Sequence, residues 1–527
     1  MTGVELTGFP ILSSIVFLPA LGALFIILFY KKEWDVLIKW TALGTSVATF
    51  LLSLYLPLTF DPSNPGLQWV EKKAWIERFG ISYFLGVDGI SLLLVLLTTL
   101  VTIICILASW REIDKKLKGY MALFLLTETF SLGIFMAMDF FLFYVFWEAV
   151  LIPMVFIIGI WGGARRLYSS IKFFIFTFVG SLFMLLGVLV IYFYHGRATG
   201  IYTFDATILS LSPIAPAIQF WVFIAFFLGF AVKVPMFPLH TWLPDAHTDA
   251  PTAGSIVLAA VLLKLGTYGF VRFSLPMLPN ASMLFAPLMI GISIFAILYG
   301  ALVTIAQKDI KKLIAYSSVS HMGFVMLGIF VFNIEGLKGS LLQMINHGIS
   351  TGALFLLIGM IYERTHTRII GDYTGLFKQL PVYGVFFLII ILSSMGMPAT
   401  NGFIGELFVL IGAFKAHWAY AVLVALGVLL GAVYLLWLFQ RVFLGNYYYS
   451  GGKLKDLGLR EIVETVPLII LVFWIGIYPK PFLNVMDASL TSLVKQVEEN
   501  YKKGTAQEAP AAQAQLETTI PAERIEK

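Results

Sequence analysis

The sequence predicts an all-α, polytopic membrane protein with about fourteen transmembrane helices, and three observations carry that reading. Of 527 residues, 59% are hydrophobic and 12% charged, about half the roughly 25% charged share of a soluble domain. The apolar residues gather into about fourteen runs, each near the ~20 residues that cross a hydrocarbon core. Two of these runs, the seventh and the twelfth, are interrupted alike by Pro and Gly, which points to two inverted five-helix repeats with discontinuous seventh and twelfth helices. The single cysteine, Cys105, excludes a disulfide framework, a Cys-ligated iron–sulfur cluster and any CxxC metal knuckle.

In order, the runs extend approximately over 8–30, 36–58, 84–110, 119–138, 139–160, 168–195, 217–237, 252–275, 282–305, 312–333, 338–361, 382–413, 418–444 and 461–483. The first is too long for a signal-peptide core and has no basic residue before it, so it counts as a membrane helix. The fourth and fifth meet at Met138-Asp139, where a tight turn is expected. The seventh contains AVKVPMFPLHTWLPD, with Pro235, Pro238 and Pro244; the twelfth contains SSMGMPATNGFIGE, with Gly396, Pro398 and Gly402. Proline removes a backbone donor and clashes with the preceding turn, so each helix breaks or kinks, and in lipid the freed groups need protein or water partners. Counted from the fourth run, the two breaks fall in the fourth members of successive five-helix sets. Because five is odd, the second set enters the bilayer upside down.

The chain thereby divides into 1–118, with three N-terminal helices; 119–275 and 282–445, the two repeats; 461–487, a last transmembrane helix; and 488–527. That last stretch is rich in Lys, Glu, Gln, Ala and Thr and reads as a polar, disordered tail. Lys and Arg sort the connections by side. With the N-terminus outside, the inner connections hold twenty of them, among them Lys31, Arg111, Arg165, Lys311, Arg364 and Arg460. The outer ones hold seven: Lys72, Lys73, Arg78, Arg197, Arg272, Lys338 and Lys415. Both termini are therefore expected outside. The net charge of +5 lies in these short clusters, with no basic stretch of the kind nucleic acid binds.

An ionisable group at bilayer depth costs about 2.5–3.5 kcal/mol on insertion scales, so each one demands a reason. Glu148, in FYVFWEAVLIPMVF, has only Tyr144 as a polar neighbour at helical spacing and needs a partner from another helix. Lys233 sits two residues before the first proline of the seventh run, where unwound carbonyls can solvate an ammonium; beside a carboxylate it can switch protonation or form a static pair. Lys264 lies at the centre of SIVLAAVLLKLGTYGF, too deep to reach either surface, and requires a water chain or a carboxylate. Glu406 follows the break of the twelfth run as the positional counterpart of Lys233, a natural proton donor or acceptor. A lone buried histidine is more often a satisfied core residue, but His321 and His347 lie mid-run in the tenth and eleventh helices. With Ser317, Ser318, Ser320, Asn346 and Thr351 they read as a polar lane from Lys264 to Glu406. Glu128, in LLTETF, is either a further relay group or one half of a static pair. His240 and His247 flank Asp245, but an H-x6-H spacing matches no standard zinc pattern, so the expected role there is closing the broken helix rather than binding metal. No phosphate loop, dinucleotide fingerprint or haem attachment motif occurs, so no cofactor is expected in this chain.

The segments FYVFWEAVLIPMVFIIGIWGG, KVPMFPLHTWLPDAHTDAPTAGSIVLAAVLLKLGTYG and AYSSVSHMGFVMLG resemble the antiporter-like membrane subunits of respiratory complex I, the proton-pumping NADH:quinone oxidoreductase. Within that family the chain is most similar to the M-type, the counterpart of mitochondrial subunit four, and only the tail after Asp487 falls outside the likeness. The resemblance makes Glu148 the family's fifth-helix glutamate, Lys233 and Lys264 its seventh- and eighth-helix lysines, and His321 and His347 the connecting histidines. Glu406 stands where the sister L- and N-type chains carry lysine. The resemblance implies a bacterial cytoplasmic membrane, L- and N-type neighbours, and FMN, iron–sulfur clusters and quinone in partner subunits. It leaves open a subunit of a multi-chain cation/proton antiporter, of a membrane-bound hydrogenase or of a plastoquinone-reducing complex. A non-conducting scaffold is the alternative from another class.

Overall fold

The computed structural model describes residues 9–31 and 33–519, with side-chain surroundings as far as Lys502; the expectations for residues 1–8, Lys32 and 520–527 lie outside the described residues. Among the described residues, twelve helices are long and apolar enough to span a membrane, or thirteen if the bent pair Leu459–Ile477 and Lys480–Lys502 counts as one span. The difference from fourteen lies in the twelfth run. It is split into Pro381–Ser394 and Asn401–Ala416, neither of which spans by itself.

Both expected breaks are present. The seventh run is Pro216–Lys233, a turn, and Trp242–Asp249, and the twelfth breaks over 395–400. The freed backbone groups find protein partners, as lipid requires. Trp242 Nε1 donates to Val232 O at 2.9 Å, and at the second break Met397 N donates to Leu392 O at 3.0 Å and Gly396 N to Ser393 O at 3.2 Å.

The turn between the fourth and fifth runs is built on Asp139. One carboxylate oxygen caps the helix Phe140–Ala149 through Phe141 N (2.9 Å) and Leu142 N (3.1 Å). The other accepts from Ser82 N (2.9 Å) and Ser82 Oγ (3.1 Å). Ser82 belongs to a feature the apolar runs concealed, an antiparallel hairpin of strands β1 (Gln68–Ile76) and β2 (Ile81–Val87). The third helix accordingly starts at Leu92, not near residue 84, because the apolar stretch ISYFLGV forms strand β2 before the helix begins.

The eighth and eleventh helices, Thr252–Met277 and Ile334–Thr365, are wholly surrounded by protein over their apolar windows, and the tenth, Ile310–Phe330, is nearly so. They form the centre of the bundle, where Lys264, His321 and His347 reside. The eighth also carries two π-helical segments, Leu258–Leu262 and Phe270–Ser274, which neither Pro nor Gly spacing announced.

Among the described residues after Asp487 the chain is helical, in a helix that runs from Lys480 to Thr519. Met486, Leu490, Leu493 and Val497 are buried, a four-three-four spacing that makes one helical stripe. Composition masked that stripe because the other faces are polar. The helix is fastened by Lys338–Asp487 (2.5 Å), by Gly89 N donating to Ser489 Oγ (3.1 Å), and by Gln496 Nε2 donating to Ser210 O (3.3 Å). Ending the chain after Asp487 removes Leu490, Leu493 and Val497, each stabilising by about 1.5–3 kcal/mol when buried. That truncation is expected to lower the thermal midpoint of the assembled protein markedly, while a stop after Lys502 is not; native gels and melting curves of the two forms decide it.

Candidate functional site

Four of the singled-out side chains form one continuous line through the bundle centre. Lys264 is completely buried, and its Nζ donates to Ala259 O and contacts His347 Nδ1 at 2.6 Å. Ala259 belongs to the first π-helical segment. There the wide turn frees a carbonyl from the ordinary i−4 pattern, and the lysine one turn on takes it. The neighbouring helix can come this close because of Gly348. A Cβ there would lie 3.0 Å from Ala260 O and 2.6 Å from Leu97 Cδ2.

From His347 the line passes to His321, ring centroids 5.8 Å apart at 63°. His321 Nδ1 stands 3.7 Å from Glu406 Oε1, which also receives Gln343 Nε2 at 3.5 Å. His347 Nε2 and His321 Nδ1 have no hydrogen-bond partner although both are buried. A buried polar atom left open is costly unless water or a moving proton satisfies it. Glu406 reaches this position over the break of the twelfth helix, where Gly396 has φ +73°, and a Cβ on Gly396 would run into the Glu406 carboxylate.

The serines expected in the lane are engaged chiefly with helix carbonyls. Ser318 donates back to Ile314 O and Ser320 to Ile297 O; Ser317 donates to Ile314 O as well, and its hydroxyl also meets the Tyr434 hydroxyl, which faces Glu406. Asn346 is engaged with the second break; beside it Ser350, Ser393 and Asn401 are hydrogen-bonded together (2.6 and 2.5 Å).

The first-half pair is arranged differently from expectation. Lys233, 3% exposed, donates to Trp147 O at 3.2 Å and lies 3.9 Å over the Trp147 ring. Its solvating carbonyl comes from the fifth run, not from its own unwound turn. Glu148 follows Trp147 directly, half-buried, with Oε1 unpartnered; among the described residues it makes no ion pair with Lys233. The carboxylate acts on the ammonium through space. Among the described residues no hydrogen bond joins Lys233 to Lys264.

Glu128 is brought to neither group. It is 2% exposed with both carboxylate oxygens unpartnered, facing the Cys105 side of the third helix, so the static pair weighed for it is not formed. His240, Asp245 and His247 do not converge either. Asp245 pairs with Lys172 at 2.7 Å, His240 packs on Phe237 and Tyr299, and His247 stacks on Phe355 at 4.5 Å with both ring nitrogens unpartnered. Near His247 a cavity of about 180 Å³ is lined by Glu112, Asp249, Lys311 and Arg368. Lys311 donates to Ala250 O at 2.5 Å, and Glu112 accepts from Thr252 N at 3.0 Å. Sequence reading passed over Glu112 and Lys311 because both stand at helix ends, where a charge is ordinary.

The family described as NADH:quinone oxidoreductase/Mrp antiporter matches residues 137–431, more than half of the chain, a span holding both broken helices and every relay candidate except Glu128. NADH-quinone oxidoreductase subunit M of Rickettsia typhi is 45% identical over 496 residues, covering 92% of this chain and 99% of the relative. NADH-ubiquinone oxidoreductase chain 4 of Marchantia polymorpha is 45% identical, covering 92% and 97%. Among solved structures, a chain of respiratory complex I from Thermus thermophilus with bound NADH superposes with a TM-score of 0.84 at 34% identity, covering 92% and 99%. A chain of the Mrp complex from a Dietzia species has a TM-score of 0.79 at 20% identity, covering 94% and 99%, a likeness of fold alone.

Proposed function

This chain belongs to the subunit M family of NADH-quinone oxidoreductase, and from that membership we propose that it is the proton-translocating M subunit of such a complex in a bacterial cytoplasmic membrane. Its neighbours there are L- and N-type chains, and the flavin, iron–sulfur clusters and quinone belong to partner subunits. Both termini face the outside, and residues 119–275 and 282–445 are the inverted halves.

The observation that carries the reading is the succession Lys264, His347, His321, Glu406 in the middle of the bundle, its first step a hydrogen bond and its next two short gaps. A lysine can release its proton to the imidazole it touches, and an imidazole has a second nitrogen to pass it on. The 5.8 Å between rings is closed by a water molecule or by ring rotation, and His321 hands over to the Glu406 carboxylate. Lys233 and Glu148 load Lys264. Glu148 is half-buried on the flank of the fifth run, with Val145, Ile152 and Phe156 exposed beside it, so an adjoining subunit can reach it and reset Lys233.

The test is Glu406→Gln. Glutamine fills the same space and keeps a partner for Gln343, but cannot bind a proton at this position. Quinone-linked proton uptake by vesicles is expected to fall by on the order of a hundredfold, with assembly intact. An assembled Glu406→Gln complex with an unchanged proton-to-electron ratio removes Glu406 from the path. Mass spectrometry of the assembly purified through this chain tests the partners: absence of flavin and iron–sulfur subunits would favour the antiporter alternative.

A further inference from the structure

A cavity of about 220 Å³ opens where the eighth helix meets the hairpin and the terminal helix, on the face that the charge distribution assigns to the outside. Thr207, Ser210, Ser489 and Gln496 give it polar walls, and the pair Asp88–Arg272 lines it as well. Arg272 grips Asp88 through both guanidinium nitrogens at 2.7 and 2.6 Å, while its Nε donates to the Tyr268 hydroxyl at 3.1 Å. That hydroxyl donates in turn to Phe135 O at 3.0 Å. Asp88 is held by Ile90 N and Ser91 N at 3.0 and 3.2 Å.

Tyr268 stands one turn, and Arg272 two turns, along the eighth helix from Lys264, so about 12 Å of helix separates the central lysine from the cavity-lining pair. Arg272 lies within the second π-helical segment, Phe270–Ser274, a local widening of a kind that recurs at functional sites. The path from Lys264 to the outer cavity thus runs past one tyrosine and one arginine, and both are fully engaged. The Tyr268 hydroxyl donates its one hydrogen bond to Phe135 O and accepts one from Arg272 Nε. Arg272 keeps its own proton at any working pH and repels a second cation.

We propose that Asp88, Arg272 and Tyr268 form the seal between the central lysine and the outer cavity, so that a proton on Lys264 leaves through His347 and not directly outward. The inference rests on the reading that Lys264 carries protons. In this role Arg272 is a positioning and barrier residue, not a carrier. With it gone, the Tyr268 hydroxyl regains a free lone pair, and water from the cavity reaches it.

The experiment uses the whole complex in vesicles, first without NADH under an imposed pH gradient to read passive influx, then with NADH to read the response of its oxidation to an uncoupler. Arg272→Gln is expected to raise passive proton influx several-fold and to abolish the stimulation of NADH oxidation by an uncoupler. Arg272→Lys retains the charge and should leak less. Adding Lys264→Met to Arg272→Gln should return the influx to the parental level, because the leak ends at that lysine. An unchanged influx in assembled Arg272→Gln, or a leak that persists with Lys264→Met, overturns the seal. Should Arg272→Gln not assemble, Arg272→Lys with and without Tyr268→Phe reads the same dependence: the leak should vanish with the hydroxyl, and its persistence counts against the proposal. Lys264→Met alone, measured for pumping, tests the underlying reading separately, so the two failures are distinguishable.

Discussion

Replacing Lys264 by Met is expected to stop proton translocation in an assembled complex. Methionine matches the length of the lysine stem and removes a buried charge, and replacing such a charge by an apolar group of similar volume is often neutral for stability. What is lost is specific: Ala259 O and His347 Nδ1 give up their shared partner. Each unsatisfied buried group costs about 1–3 kcal/mol, tolerable within a bundle of this size. Transport has no such slack, because the line from Lys264 to Glu406 then begins at an imidazole with nothing to feed it, and a loss on the order of a hundredfold in pumping is expected. Lys264→Arg separates relay from strut. Arginine keeps the charge and can still reach a carbonyl, but it does not deprotonate in a protein. A structural lysine would be replaced by arginine with modest effect, whereas a relay lysine would be as inactive as methionine. Proton uptake and quinone-linked NADH oxidation measured on both variants, with assembly followed by native gel, give the answer. Pumping at the parental rate by assembled Lys264→Arg would place the route elsewhere.

Much of this arrangement was legible in the sequence, and the reasons are physical. Pro235, Pro238 and Pro244, and Gly396 with Pro398, announced the breaks because proline cannot continue a helix. Lys264, His321, His347 and Glu406 announced themselves because a charge or imidazole deep in an apolar run needs a reason. Geometry between helices was not legible. Ser318 and Ser320 of the tenth run lie close in sequence to His321 yet bond to their own or a neighbouring backbone, since a hydroxyl is easily satisfied locally. The π-helical segments that free Ala259 O and place Arg272, LAAVL and FVRFS, contain no breaker residue of their own. Nor did the sequence show that Trp147, and not Glu148, touches Lys233. Apolar content marks a tryptophan only as core, although its carbonyl and ring face both serve a cation.

That last contact determines the outcome for Glu148. In a direct buried ion pair, Glu148→Gln would strand the ammonium and cost about 3–5 kcal/mol, with assembly failing first. Here Lys233 keeps the Trp147 carbonyl and ring whatever stands at position 148, so the glutamine variant is expected to assemble. It loses instead the charge that acts on Lys233 through space. Loading of Lys264 then no longer follows events at the fifth run, and proton uptake per electron should fall severalfold or more. Glu148→Asp keeps the charge but withdraws it by one methylene, and should retain part of the activity. Trp147→Phe completes the set. It keeps a ring near the ammonium and the backbone carbonyl, leaves Glu148 in place, and should cost less than Glu148→Gln if charge is the switch. If contact is the switch the order reverses, with Trp147→Phe the more damaging. Vesicle proton uptake, normalised to assembled complex, ranks the three variants, and equal pumping by Glu148→Gln and the parent would separate Lys233 from any control by Glu148.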